Sequence, residues 1–208
     1  MTVAIEVMNA LLLPIVLGFL LLLEAKALPN QYRMHGIYKY VASYKPFNFV
    51  DGEGVRCSLY VSGCLFNCPG CYNQAAQNFH YGRPYTKKLE DRIIHDLSKP
   101  YVQGLTLLGG EPFLNTQVCI RLCERVRKVF GHTKDIWSWT GFKWEELMKE
   151  SFDRLKLLSL IDILVDGRFL QSKKDLTLQF RGSSNQRIID VKKSLKANHV
   201  VIWDKLVH

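Results

Sequence analysis

The fold this sequence predicts is α/β, built as an open, partial β/α barrel. Short β-branched and aromatic runs alternate with stretches of helical spacing, the pattern of βαβ units around a parallel sheet. Those units are too few to close an eight-fold barrel. The residues best suited to bind or react all follow or end predicted strands, where the active groups of such folds gather. They are a cysteine loop at 64–71, a Gly-Gly-Glu-Pro run at 109–112, Thr140 and Asp166.

Taken in order, residues 1–33 differ from the rest. Positions 10–23 are nearly all apolar, with Pro14 and Gly18 inside. The run is shorter than the roughly 20 residues of a membrane span. Its length suits the apolar part of a signal peptide, and Ala25-Lys26-Ala27 imitates a cleavage site. However, Glu6 precedes it and no Lys or Arg does, so the positive leader is missing. It reads either as an apolar helix or as an extension outside the working protein. The second is the expectation, with a working domain at 34–208.

Residues 38–50 read as a strand and 51–54 as a turn. Residues 57–62 form a short β-rich run that delivers the cysteine loop, with Cys57 read as core. Leu89, Ile93 and Leu97 share one face of a helix over 88–98. A compact apolar strand at 104–108 runs into the Gly-Gly-Glu-Pro turn. Asn115 has the character of an N-cap for a helix to Phe130, stopped by Gly131. Cys119 and Cys123, four apart on that helix, read as core. A strand follows at 135–140, then a helix over 143–150 continuing with a break to 158, and a buried strand at 161–165. Residues 176–180 and 187–191 alternate like short strands, and 200–203 suggest a last one.

The 208 residues suit one domain with a real core. Apolar content of 48% and charged content of 23% are those of an ordinary globular chain. Six cysteines in a chain of this size do not make a disulfide scaffold, and their spacing favours a reducing, cytoplasmic compartment. A net charge of +9 suits a nucleic-acid surface or an acidic partner. The basic residues are scattered, with short clusters at Lys87-Lys88, Lys173-Lys174 and Lys192-Lys193, and no nucleic-acid motif accompanies them. They read as a solvated surface, so neither a nucleic-acid nor a membrane partner is expected.

The chemistry centres on Cys64, Cys68 and Cys71, spaced CxxxCxxC. Thiolates are soft ligands for iron–sulfur clusters, zinc or copper(I). Closed sites usually take four protein ligands, and here the local count stops at three. Three thiolates on a cubane cluster leave one iron open to a substrate. Pro69 and Gly70 suit a tight turn that brings Cys68 and Cys71 around one centre. On spacing alone, a zinc knuckle completed by a distant Cys or His, or plain core cysteine, remain alternatives.

CxxxCxxC resembles the signature of radical S-adenosylmethionine (SAM) enzymes. The wider run at 52–73, ending in CPGCYN, and the later RGSSNQR at 181–187 are similar to the family of activating proteins of anaerobic ribonucleoside-triphosphate reductase. The resemblance covers roughly residues 45–192. The family commonly has Pro where Glu53 stands, which touches only the detail of that loop. The resemblance implies a partial barrel of the radical SAM type and a 4Fe-4S cluster on Cys64, Cys68 and Cys71. It implies reductive cleavage of SAM, and abstraction of a hydrogen atom from a glycine of the partner reductase. An electron donor such as flavodoxin is also implied.

Gly109 and Gly110 lack side chains, so a ligand can approach the backbone, and Glu111 adds an acceptor for a cation. In the family such loops hold the SAM amino group. Gly70, Cys71 and Tyr72 are expected beside the cofactor, with Tyr72 against the adenine. Ser138 and Thr140, on one strand face opposite Trp137 and Trp139, are candidate hydroxyl contacts, with packing an equal alternative. Asp166 is a further candidate. Alternatives for the whole chain are another small radical SAM enzyme of the pyruvate formate-lyase activase type, or a zinc or iron–sulfur nucleic-acid-binding module.

Overall fold

The computed structural model describes residues 40–204. The apolar run at 10–23 and the proposed boundary near Met34 lie outside the described residues. Seven strands form one sheet: β1 (Tyr40–Asn48), β2 (Val55–Val61), β3 (Arg83–Pro84), β4 (Val102–Gly109), β5 (Asp135–Trp139), β6 (Ile163–Asp166) and β7 (Arg187–Asp190). Among the described residues five α-helices accompany them: α1 (Lys87–Leu97), α2 (Thr116–Phe130), α3 (Trp144–Leu147), α4 (Phe152–Leu160) and α5 (Val191–Ala197). The strand order is β3-β1-β2-β4-β5-β6-β7, so the sheet is open. Its centre, β2-β4-β5-β6, is parallel. β1, β3 and β7 add antiparallel pairs at the edges. Helices join consecutive parallel strands because a parallel pair needs a crossover rather than a hairpin.

Alternation along the strands sorts the core onto two faces. One face carries Cys57, Leu59, Val61, Leu105, Leu107, Ile136, Leu164 and Ile189. They pack with Ile93 and Leu97 of α1, Val118, Leu122 and Val126 of α2, and Leu157 and Leu158 of α4. The other face carries a smaller cluster of Trp137, Ile163, Val165, Ile188 and Trp203, with Trp139 and Phe180 against it. Arg56 is fully buried beside that cluster. Its guanidinium lies 5.2 Å from the Trp137 ring and bonds Asp135 (2.5 Å), Thr106 (2.7 Å) and the Leu105 carbonyl (2.9 Å). A buried cation needs this full set of partners, since an unpaired one is strongly destabilising.

The helix over 143–158 is broken into α3 and α4, as its pattern suggested, and Gly131 ends α2 with φ +57°. Two expectations need correction. Residues 176–180 form no strand: they belong to an irregular segment, and Phe180 packs edge-on against Trp137 at 5.5 Å. Of their alternating apolar residues only Phe180 packs on the core, while Leu176 is held out to solvent. The segment 200–203 contributes one bridge, Ile202 to Ile189, rather than a strand.

Candidate active site

β2 ends at Val61 and the cysteine loop begins at once, so the strand fixes its base. Gly63 N and Cys64 N donate to the Ala76 and Gln77 carbonyls at 2.7 and 3.0 Å. Gly110 N donates to Val61 O and Glu111 N to Gly63 O, both at 2.8 Å, which stitches the ends of β2 and β4 together. Gly70, at φ +72°, and a Cys71 N to Cys68 O bond of 3.1 Å make the expected turn. Cys64, Cys68 and Cys71 are free and half-buried, whereas Cys57, Cys119 and Cys123 are free and fully buried.

Burial pushes the Cys64 thiol up to about 11, against a backbone donor at Phe66, with Glu111, Cys68 and Cys71 adding to the rise. Burial also raises Cys68, and Cys71 raises it further. Among the described residues, no group of three or more His, Cys, Asp or Glu side chains is gathered closely enough to hold a metal ion. Cys64, Cys68 and Cys71 are three free, half-buried thiols on one loop, a donor set whose chemistry fits an iron–sulfur cluster with one iron lacking a protein ligand.

The Gly-Gly-Glu-Pro turn is built differently from the sequence expectation. A Cβ on Gly109 would lie 2.8 Å from Tyr60 Cα and Val61 O, and one on Gly110 2.6 Å from Gly63 O and 2.9 Å from Ala76 O. The glycines are required because β2 and β4 abut there: the chain's own backbone fills the space a side chain would take. Glu111 is 1% exposed. Its carboxylate accepts from Phe113 N (3.0 Å), Thr140 Oγ1 (2.9 Å) and Gly141 N (2.8 Å). Burial raises its pKa to about 7, against the pull of those donors. It acts as a crossbar between the loops after β4 and β5. Asn115 is the N-cap residue of α2 as expected, but its side chain makes no cap bond and adds a second tie instead, donating to Glu111 O at 2.9 Å and Gly63 O at 3.3 Å.

The structure thus brings Cys64, Gly109, Gly110, Glu111 and Thr140 into one set of strand-end loops, with Tyr72 almost wholly exposed beside Cys71. Ser138 and Asp166 are placed otherwise. Ser138 lies opposite the tryptophans as expected, but that is the helix-covered side, where it is fully buried and bonds Trp139 O at 3.3 Å. Asp166 is 1% exposed and already engaged. It accepts from Arg187 (3.0 and 2.5 Å) and from Trp144 N (2.8 Å), and Arg187 also grips Glu145. Neither side chain is free to meet a ligand in this arrangement.

Sequence reasoning missed the neighbour of the cysteine loop. The irregular segment after β6 returns over the loop. Arg168 lies 4.5 Å from the Phe66 ring, Phe169 offers a backbone donor to Cys68, and a Cβ on Gly70 would strike Gln171. RGSSNQR holds this segment. Gln186 accepts from Gly182 N and Ser183 N (2.9 and 3.2 Å) and donates to Gly167 O (2.9 Å), while Asn185 donates to Arg168 O (2.9 Å). The motif itself was the available signal. Its two amides are what a loop needs to satisfy its backbone away from a sheet.

Residues 50–189 match the 4Fe-4S single cluster domain family. The chain is 44% identical over 147 residues to the anaerobic ribonucleoside-triphosphate reductase-activating protein of Escherichia coli K12, covering 69% of this chain and 93% of that protein. It is 43% identical over 149 residues to the protein of the same name from Haemophilus influenzae, covering 70% and 94%. For that of Enterobacteria phage T4 the identity is 39% over 145 residues, covering 69% and 88%.

Proposed function

We propose, from the premise that this chain belongs to the 4Fe-4S single cluster domain family and within it to the anaerobic ribonucleoside-triphosphate reductase-activating proteins, that it is a glycyl-radical activating enzyme of the radical SAM class. Its protein substrate is the anaerobic ribonucleoside-triphosphate reductase. The observation that carries this reading is the cysteine loop: three free, half-buried thiols at the end of β2, stitched to the Gly-Gly-Glu-Pro turn at the end of β4. When bound, the 4Fe-4S cluster supplies one electron to the sulfonium of SAM, and the resulting carbon–sulfur cleavage yields methionine and the means to take a hydrogen atom from a glycine Cα.

The residues divide that work. Cys64, Cys68 and Cys71 hold the cluster as thiolates, which coordination favours despite the raised thiol pKa. Gly109 and Gly110 let the ends of β2 and β4 pack together and so set the loop that would face the amino acid end of SAM. Glu111 fixes that loop through Thr140 and Gly141 and excludes water beneath it. Tyr72 supplies an aromatic surface to the adenine. We read the open, mostly parallel sheet as the partial barrel of this enzyme class, with an open mouth that admits a loop of a protein substrate. Residues 34–208 form the working domain, acting in the cytoplasm with a small electron donor such as flavodoxin.

Among the described residues no helix is long and apolar enough to cross a membrane. Reconstitution with iron and sulfide under argon tests the assignment. The expected result is a brown protein whose reduced form converts SAM to 5′-deoxyadenosine and methionine. A colourless zinc protein inert to SAM would overturn it.

A further inference from the structure

The segment between β6 and β7 carries features the chemistry above does not use. Residues 168–181 hold four basic side chains, Arg168, Lys173, Lys174 and Arg181, against one acid, Asp175. None of these four makes an ion pair among the described residues, a state they share with other cations such as Lys88 and Lys128, but here four of them fall within 14 residues. Arg181 also leaves its buried Nε without a hydrogen-bond partner. The same segment exposes Leu176 at 85% and Leu170 at 40%. It lies directly against the cysteine loop, which exposes Leu65 and Tyr72. Large apolar groups held out beside unpaired cations, on a segment tied down by a single β-bridge from Lys174 to Ser183, suit an interface better than a solvated surface.

We propose that residues 168–181 are the docking strap for the protein substrate, and that its occupant is an acidic segment of the reductase bearing apolar side chains. This rests on the activase reading above. Lys173, Lys174 and Arg168 steer and orient the acidic segment, while Leu170 and Leu176 are covered on binding. The strap's contacts with Phe66, Cys68 and Gly70 set the docked segment beside the cluster loop, where a glycine must arrive. Charge at such a rim acts on encounter rate and salt dependence more than on the chemical step.

The test compares three reconstituted full-length proteins: wild type, Lys173→Glu/Lys174→Glu, and Lys88→Glu/Lys128→Glu. The last makes the same change in net charge on exposed, unpaired positions of α1 and α2, over the opposite face. Two quantities are read: reductase-free cleavage of SAM, and the reductase concentration that half-saturates glycyl-radical formation. The strap variant is expected to keep wild-type SAM cleavage, to need at least ~10-fold more reductase, and to lose much of the wild type's salt dependence. The helix variant is expected to match wild type in both. Equal half-saturation for strap variant and wild type overturns the proposal, as does an equal weakening in the helix variant. If the strap variant loses SAM cleavage as well, Leu176→Ser decides, with weakened half-saturation supporting docking and an unchanged value overturning it. Absence of any glycyl radical with wild type is a separate result, and refutes the activase reading instead.

Discussion

Two groups of three cysteines divide this molecule. Cys57, Cys119 and Cys123 are fully buried in the helix-side core, where desolvation holds Cys119 and Cys123 as neutral thiols and raises Cys57 as well. Cys64, Cys68 and Cys71 are half-buried on a turn beyond the end of β2. The residue type is the same, and the backbone decides the chemistry. Cys119 and Cys123 lie on one helix face only four residues apart, a spacing that metal sites also use, yet they pack as small apolar groups. The loop thiols are spaced less regularly but sit where strand ends, glycines and a tight turn meet.

Removing the difference on the loop side should have the largest effect. Replacing Cys64, Cys68 or Cys71 by Ala should abolish the iron–sulfur absorbance and lower SAM cleavage by at least ~1,000-fold, because the three act as a unit. Next comes the crossbar beneath the loop. Glu111→Ala leaves the donors of Phe113, Gly141 and Thr140 without an acceptor, at about 1–3 kcal/mol for each group left unsatisfied. Urea unfolding of the metal-free protein should show a loss of about 3 kcal/mol or more, and SAM affinity should fall with it. On the core side, Cys119→Ala should leave iron content and SAM cleavage unchanged and lower stability by only about 1–2 kcal/mol, as read by the same titration. A loss of iron in that variant would erase the contrast between the two groups.

The smallest effect is electrostatic and confined to the helix side. Burial alone would raise Glu90, but hydrogen bonds from Arg125, Arg121 and Tyr85 bring its pKa below the ordinary 4.5. A carboxylate lowered in the fold contributes stability that is fully present above about 4.5 and is lost as pH falls through the folded value. Glu90→Gln should therefore unfold less steeply with acid below pH 4.5 than wild type, while SAM cleavage at neutral pH stays the same.

Much of this site was legible in the sequence because its parts are local. CxxxCxxC after a β-rich run and Gly-Gly-Glu-Pro after the next strand each fall within a few residues, so spacing and turn chemistry reveal them. Cys57, Cys119 and Cys123 were legible as core from their places in a strand and on an apolar helix face. What stayed hidden depends on partners far along the chain. Asp166 is spoken for by Arg187, which a parallel-strand reading does not bring beside it. Alternation put Ser138 opposite Trp137 and Trp139 correctly, but could not tell which face the helices cover. The same alternation at 176–180 imitated a strand, although only Phe180 meets the core and Leu176 is exposed. Gly109 and Gly110 stand out for their missing side chains, while the neighbours that require this, the backbone of β2 at Gly109 and that of Gly63 and Ala76 at Gly110, become apparent only once the sheet is assembled.

The account stands most directly on hydrogen-atom transfer to a partner glycine. Reduced, reconstituted protein is mixed with SAM and anaerobic ribonucleoside-triphosphate reductase under argon and observed by electron paramagnetic resonance. The account predicts a glycyl-radical signal on the reductase that requires SAM and disappears with Cys68→Ala. SAM cleavage that proceeds normally with no radical on the reductase would contradict it.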